Sequence, residues 1–144
     1  MGGLKLICFK ELKPCWELEG AKQPGFMRWL VHYVSGEEPV FHANREKGAI
    51  SKHCKVGLFV LPVGQRQRKH YHQDAEEIYV LIRGKLAVEG GDGSERILEP
   101  FDCLYNPPGT AHAVRNCGLE DAVIVFVDAP LEAAGRSVYV EEST

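Results

Sequence analysis

Short apolar segments recur about every ten residues, each closed by a turn, and this rhythm constrains the chain more than any other feature. The segments 28–34 (RWLVHYV), 55–63 (KVGLFVLPV) and 77–83 (EIYVLIR) are rich in aromatic and β-branched residues, which suit a pleated, half-buried surface. Further runs follow at 85–89, 95–98, 102–106, 111–116 and 122–128, separated by Gly, Pro, Asn and Asp. Between two of them lies 90–94 (GGDGS), where glycines supply a hairpin turn. No long helical period interrupts the series; at most a turn or two falls near 131–134. The pattern predicts an all-β fold of antiparallel strands, a sandwich or barrel, as one domain over 28–144. Residues 1–27 stand apart as an N-terminal arm. Its Leu4, Leu6, Ile7, Phe9, Trp16 and Leu18 are too many apolar groups for a loose tail. Alternation of Leu4, Leu6 and Cys8 predicts a strand there, packed on the barrel or exchanged with a partner in a homodimer.

Charge and cysteine content exclude several function classes. The net charge is −3, from 17 Lys and Arg against 20 Asp and Glu, too weak to predict a nucleic-acid or anionic-membrane partner. The longest apolar runs, 58–63 and 122–127, have six residues each, against the roughly 20 that span a bilayer. Cys8, Cys15, Cys54, Cys103 and Cys117 are odd in number, scattered, and form no C-x-x-C pair. They predict reduced thiols and a cytoplasmic location, with Cys103 as inert packing, rather than a disulfide framework or zinc knot.

His70 and His72 form an H-x-H pair, and on a strand residues two apart face the same side. Glu77 lies five residues beyond His72, an odd step that one straight strand would turn to the opposite face. Gln73-Asp74-Ala75-Glu76 reads as a turn that resets the face, so Glu77 can enter an adjacent antiparallel strand pointing inward. Glu76 remains the alternative carboxylate. His112 follows the Pro107-Pro108-Gly109-Thr110 turn and stands at a strand start. Three imidazoles and a carboxylate suit one divalent transition ion, whether Fe, Mn, Ni or Zn. His32, His42 and His53 fit no ligand spacing.

Gly64-(x)5-His70-x-His72-(x)4-Glu77-(x)6-Gly84 resembles the first cupin motif at every fixed position. Pro107-x-Gly109-(x)2-His112-(x)3-Asn116 is similar to the second, with Phe101 where that motif usually opens on Gly. The resemblance covers 64–116, and surrounding strands extend it over about 55–128. It implies a small cupin β-barrel with a metal held by His70, His72, Glu77 and His112. It further implies a function among dioxygenases, decarboxylases, isomerases, lyases and non-enzymatic binders of small molecules.

Strand parity supplies candidates for the substrate. Tyr79 and Leu81 follow Glu77 on its face, and Val114 and Asn116 follow His112. Tyr79 is the candidate catalytic hydroxyl. Tyr79, Leu81, Tyr105 and Phe126 are candidate pocket walls, with plain core as the competing reading. Arg66 or Arg68 could clamp a substrate carboxylate. These features predict a metal-dependent enzyme acting on a small polar metabolite, oxygenase ahead of isomerase, lyase or decarboxylase. The alternative is a binding or sensing protein without turnover.

Overall fold

The computed structural model describes residues 3–18, 27–36, 44–131 and 137–140. A 3-10 turn at Phe9–Glu11 precedes β1 (Cys15–Leu18), β2 (Met27–Ser35), β3 (Ala49–Ile50) and β4 (Lys55–Leu61). Then come β5 (His70–His72), β6 (Glu76–Arg83), β7 (Leu86–Gly90) and β8 (Glu95–Leu98). The series ends with β9 (Cys103–Asn106), β10 (His112–Asn116), β11 (Ala122–Ala129) and β12 (Ser137–Tyr139). They form two sheets, ordered β1-β2-β4-β11-β6-β9, with β3 beside β2, and β12-β5-β10-β7-β8. All pairs are antiparallel except β2 with β3. The fold is the expected all-β one. Its two sheets face each other rather than closing into a continuous barrel. Among the described residues no helix is long and apolar enough to cross a membrane.

Alternation builds the core. On β4 and β11 alternate residues are buried, and cross-strand register aligns them into rows. Leu30, Phe59, Ile124 and Leu81 form one row across four strands. His32, Gly57, Phe126, Tyr79 and Leu104 form the next. Phe59 packs on the rings of Tyr79 and Phe126 at centroid distances of 5.3 and 6.0 Å, a tilted arrangement that aromatic quadrupoles favour. Gly57 makes room for Phe126: a Cβ there would press into that ring and lie 2.6 Å from the Val31 carbonyl oxygen. One row nearer the sheet end the character changes to Lys55, Asp128, Glu77 and Asn106. That polar row is where the chemistry collects.

The N-terminal expectation is corrected in part. Residues 4–8 form no strand, and Leu4 and Leu6 are 75% and 74% exposed. The arm's strand is β1, paired with β2 of the same chain through Cys15↔Leu30 and Trp16↔Trp29. Cys103, expected to pack inside, is exposed. Helical expectations at 132–134 lie outside the described residues.

Phe101 shows why the motif prefers glycine at its place. Asp102 N–H donates to the Glu99 carbonyl at 3.0 Å, closing a turn with Pro100 second and Phe101 third. The third position of such a turn needs positive φ, and Phe101 adopts +73°. That conformation costs an L-residue about 1–2 kcal/mol. The ring is 79% exposed, so truncating it loses little packing. Phe101→Gly is therefore expected to raise stability by about 0.5–1 kcal/mol after the entropy of glycine in the unfolded chain is subtracted. Urea unfolding of the two proteins checks this; equal or lower stability of the variant would contradict it.

Candidate metal centre

The four expected ligands come together from both sheets. On β5 the burial alternates so that His70 and His72 point in and Tyr71 is half-buried. Register sets His112, the first residue of β10, directly beside His70. Their ring centroids are 4.6 Å apart, and those of His70 and His72 are 5.3 Å apart. The Pro107–Thr110 turn is tied to the ligand strand, with Gly109 N–H donating to the His72 carbonyl at 2.8 Å. Glu77 enters from the other sheet on β6. The expected turn into an adjacent antiparallel strand is corrected: the odd five-residue step from His72 spans a crossing between sheets, and the carboxylate ends up facing the imidazoles. Glu76 points to the outer side, where its Oε2 accepts from the Tyr105 hydroxyl at 2.6 Å. Glu77 is the inward carboxylate.

Glu77 Oε1 lies 2.8 Å from His112 Nε2 and 3.5 Å from His70 Nε2, and its Oε2 lies 3.2 Å from His72 Nε2. All four residues are buried. His70 Nδ1 is 2.8 Å from the Arg68 carbonyl oxygen, and His112 Nδ1 is 3.0 Å from that of Thr110. A carbonyl oxygen only accepts, so both Nδ1 atoms carry the proton. The Nε2 lone pairs of the neutral rings then converge on carboxylate oxygens. Such an arrangement needs a cation or extra protons between the partners. Nδ1 fixed by a backbone carbonyl is also the support that metal-binding imidazoles receive. His72 has no hydrogen-bond partner at either ring nitrogen, although it is buried. The donor set therefore fits one divalent ion. Among the described residues His70, Glu77 and His112 form one group of ligand atoms within 4.8 Å of one another, and His72, Glu77 and Asp128 form another.

Electrostatics agree with this reading. Burial alone would push the Glu77 carboxyl up. The side chains of His112, His70, His72 and Asp128 around it outweigh that and hold it well below the ordinary carboxylate range. Asp128 goes the other way: burial, and then the negative charge of Glu77 beside it, raise it to about 9. Burial and Glu77 likewise raise Tyr79 well above an ordinary phenol. Its hydroxyl stays protonated, donates to Glu77 Oε1 at 2.5 Å and accepts from Gln67 Nε2 at 2.9 Å.

The remaining candidates scatter. Tyr79 faces inward beneath the ligands and is 2% exposed, so its hydroxyl orients Glu77 from the core side. Phe126 is its strand neighbour in the same floor. Leu81, expected as a wall, sits one row deeper within the hydrophobic core, behind Tyr79. Tyr105, also expected as a wall, is on the outer face because it pairs with Ile78, between the inward Glu77 and Tyr79. Val114 belongs to the core, and Asn116 ties a distant turn by donating to the Leu61 and Glu120 carbonyls. Arg68 stacks over Tyr139 at 4.3 Å. His53 is exposed, His32 is buried edge-on to Phe126, and His42 lies outside the described residues.

Sequence reasoning missed Asp128, Gln67 and Asn106. The signal for Asp128 was present: 122, 124 and 126 are apolar inward positions on β11, and 128 continues their parity. Gln67 was obscured by the basic residues around it. Asn106 is the strand neighbour of Glu77 and leaves its Nδ2 without a partner. Among the described residues, every buried side-chain nitrogen or oxygen without a partner belongs to Gln67, His72, Asn106 or Asp128, all on or next to this site.

Comparison with known proteins places the chain among familiar relatives. The family model described as cupin domain matches residues 57–128. The uncharacterized protein YdbB of Bacillus subtilis is 27% identical over 84 residues, covering 58% of this chain and 71% of that protein. Polyketide synthase CurC of Streptomyces cyaneus is 36% identical over 76 residues, 53% of this chain and 49% of that one. The chain thus spans about half the length of CurC. The crystal structure of a predicted oxalate decarboxylase from Thermotoga maritima superposes with a TM-score of 0.69 at 21% identity, covering 88% of this chain and 99% of that one. At that identity the likeness is one of fold.

Tyr79→Phe removes a hydroxyl that serves two buried partners. Gln67, with Oε1 already unpartnered, would also lose the partner of its amide. Leaving a buried donor unmet costs about 1–3 kcal/mol. A loss in that range is expected in urea unfolding of the metal-free protein. A change below 0.5 kcal/mol, on the order of a neutral surface substitution, would show that the network contributes nothing.

Proposed function

This chain belongs to the cupin domain family, and from that premise we propose that it is a metal-dependent enzyme acting on a small carboxylated or hydroxylated metabolite. One observation carries the reading: three buried imidazoles from one sheet converge on a buried carboxylate from the other. His70, His72, His112 and Glu77 would hold the ion. A divalent ion there supplies Lewis acidity to a coordinating hydroxyl or carboxylate, and iron adds redox chemistry with dioxygen. The chain's own residues do the positioning. Arg68 and Thr110 carbonyls fix two imidazoles, and Tyr79 and Gln67 brace Glu77 from the core side. The apolar floor of Phe126 and Phe59 keeps water from the far side of the site. We rank oxygenase chemistry ahead of isomerase, lyase and decarboxylase chemistry, because imidazole-rich sites accept iron readily.

A binding protein without turnover is the second reading. It is favoured by the engagement of Tyr79, the inward phenol nearest the ligands, with Glu77 and Gln67. A hydroxyl so engaged is poorly placed to serve as a base for substrate.

The proposal extends to assembly. Leu4, Leu6 and Phe9 are exposed on the arm, and a second copy covering them would give a homodimer. Sedimentation as a monomer at micromolar concentration would remove that part.

The main test is elemental analysis of the protein as purified, followed by optical titration with oxalate and with a catechol, and an oxygen-electrode screen. About one equivalent of metal is expected, with its spectrum shifted by these small oxygen ligands. His72→Ala is expected to fold and to lose its metal on dialysis, because the strands bury a core of their own. Full metal content in that variant would refute the ligand assignment. Oxygen uptake with any substrate would decide for the enzyme against the binder.

A further inference from the structure

A carboxylic acid sits buried where an apolar residue would continue the pattern. Along β11 the inward positions run Ala122, Ile124, Phe126 and then Asp128, which is 2% exposed. Its strand neighbour on β6 is Glu77. Like charges directly opposite on neighbouring strands repel, and burial strengthens that repulsion. Two adjacent buried acids therefore hold either a proton or a cation between them. Lys55, the neighbour on β4, supplies part of the positive charge: its Nζ is 3.4 Å from Asp128 Oδ2. Asp128 Oδ1 has no partner. On the other side of Glu77 the His72 ring is also without a hydrogen-bond partner. One ligand atom from each of His72, Glu77 and Asp128 lies within 4.8 Å of the others, a group that shares Glu77 with that of His70, Glu77 and His112.

We propose that Asp128 is a fifth metal-binding residue, so that the ion meets three imidazoles and two carboxylates. The inference rests on the metal-centre reading and deepens it. It accounts for two observations with one cause: the acid at an apolar position and its open Oδ1. Two carboxylates shift the site toward oxygen-preferring ions, manganese and ferrous iron, relative to a site with one. Five protein donors also leave a six-coordinate ion a single position for a substrate atom, where four would leave two.

The experiment uses the full chain loaded with Co²⁺, whose visible absorption reports coordination number, in wild type, Asp128→Asn, Asp128→Glu and His72→Ala. Asn keeps the size of Asp128 and can still donate to Glu77, but it lacks the anionic oxygen. Asp128→Asn is expected to bind Co²⁺ tenfold to a hundredfold more weakly and to show a more intense visible band, because losing one protein donor lowers the coordination number of a six-coordinate ion. Asp128→Glu, which moves the carboxylate without removing it, is expected to change the band and keep more affinity than the Asn variant. Binding by Asp128→Asn within twofold of wild type, while His72→Ala loses the ion, overturns this inference alone. Weaker binding with an unchanged band overturns it too, because Asp128 would then act only by holding Glu77. Failure of wild type to bind Co²⁺ overturns the metal-centre reading and this inference together. If Asp128→Asn does not fold, Asp128→Glu decides: an unchanged band refutes the ligand role.

Discussion

A carboxylate from one sheet facing three imidazoles from the other is the interaction on which the rest of this structure turns. Glu77 is buried and ionised beside a core built mainly of Leu, Ile, Val and aromatic side chains. An unpaired charge there would be prohibitive. The fold meets that cost with a hydrogen bond from Tyr79 and with the facing rings of His112, His70 and His72, which gather a cation or protons against the carboxylate. These contacts bridge the gap between the sheets, which are also joined by apolar packing and by the Asn116 amide of β10 donating to the Leu61 carbonyl on β4. The site is therefore a structural joint as well as a place for chemistry.

Much of this was legible from residue spacing. Period-two alternation identified most of the strands, and 95–98 coincides with β8 as found. H-x-H on a strand, an odd step to Glu77 across a turn, and His112 after a Pro-Pro-Gly turn gave the four converging side chains. Parity put Tyr79 inside correctly because β6 alternates without a bulge from Glu76 to Leu81. Other features depend on contacts that spacing does not encode. Leu81 and Tyr79 share a face, yet depth along the strand separates a residue touching the ligands from one in the core. Tyr105 needed the β6–β9 register, which assigns it to Ile78 rather than to Glu77. β12 is three residues long and exists as a strand because it pairs with β5, where Tyr139 meets His70 and Ser137 meets His72. Local preference carries too little information to announce such a strand.

The ligands are not equally supported. His70 and His112 each have Nδ1 fixed by a backbone carbonyl two residues earlier in the chain, at 2.8 and 3.0 Å. Glu77 is held by Tyr79, which is held by Gln67, whose own N–H donates to the Val114 carbonyl on β10. That chain of bonds leads from one ligand strand back to the other sheet, so Glu77 and His112 are braced against each other. His72 has no such support, since neither ring nitrogen finds a hydrogen-bond partner. Its orientation rests on β5 backbone pairing and on ring contact with His70. Metal affinity commonly depends tenfold or more on supports of this kind. The site thus has a rigid side, built from His70, His112 and Glu77, and an adaptable side at His72. Asp128 lies on that adaptable side, next to the one imidazole that the protein leaves unbraced. An incoming ligand that needs room at the ion would find it there, where a displaced ring breaks no hydrogen bond.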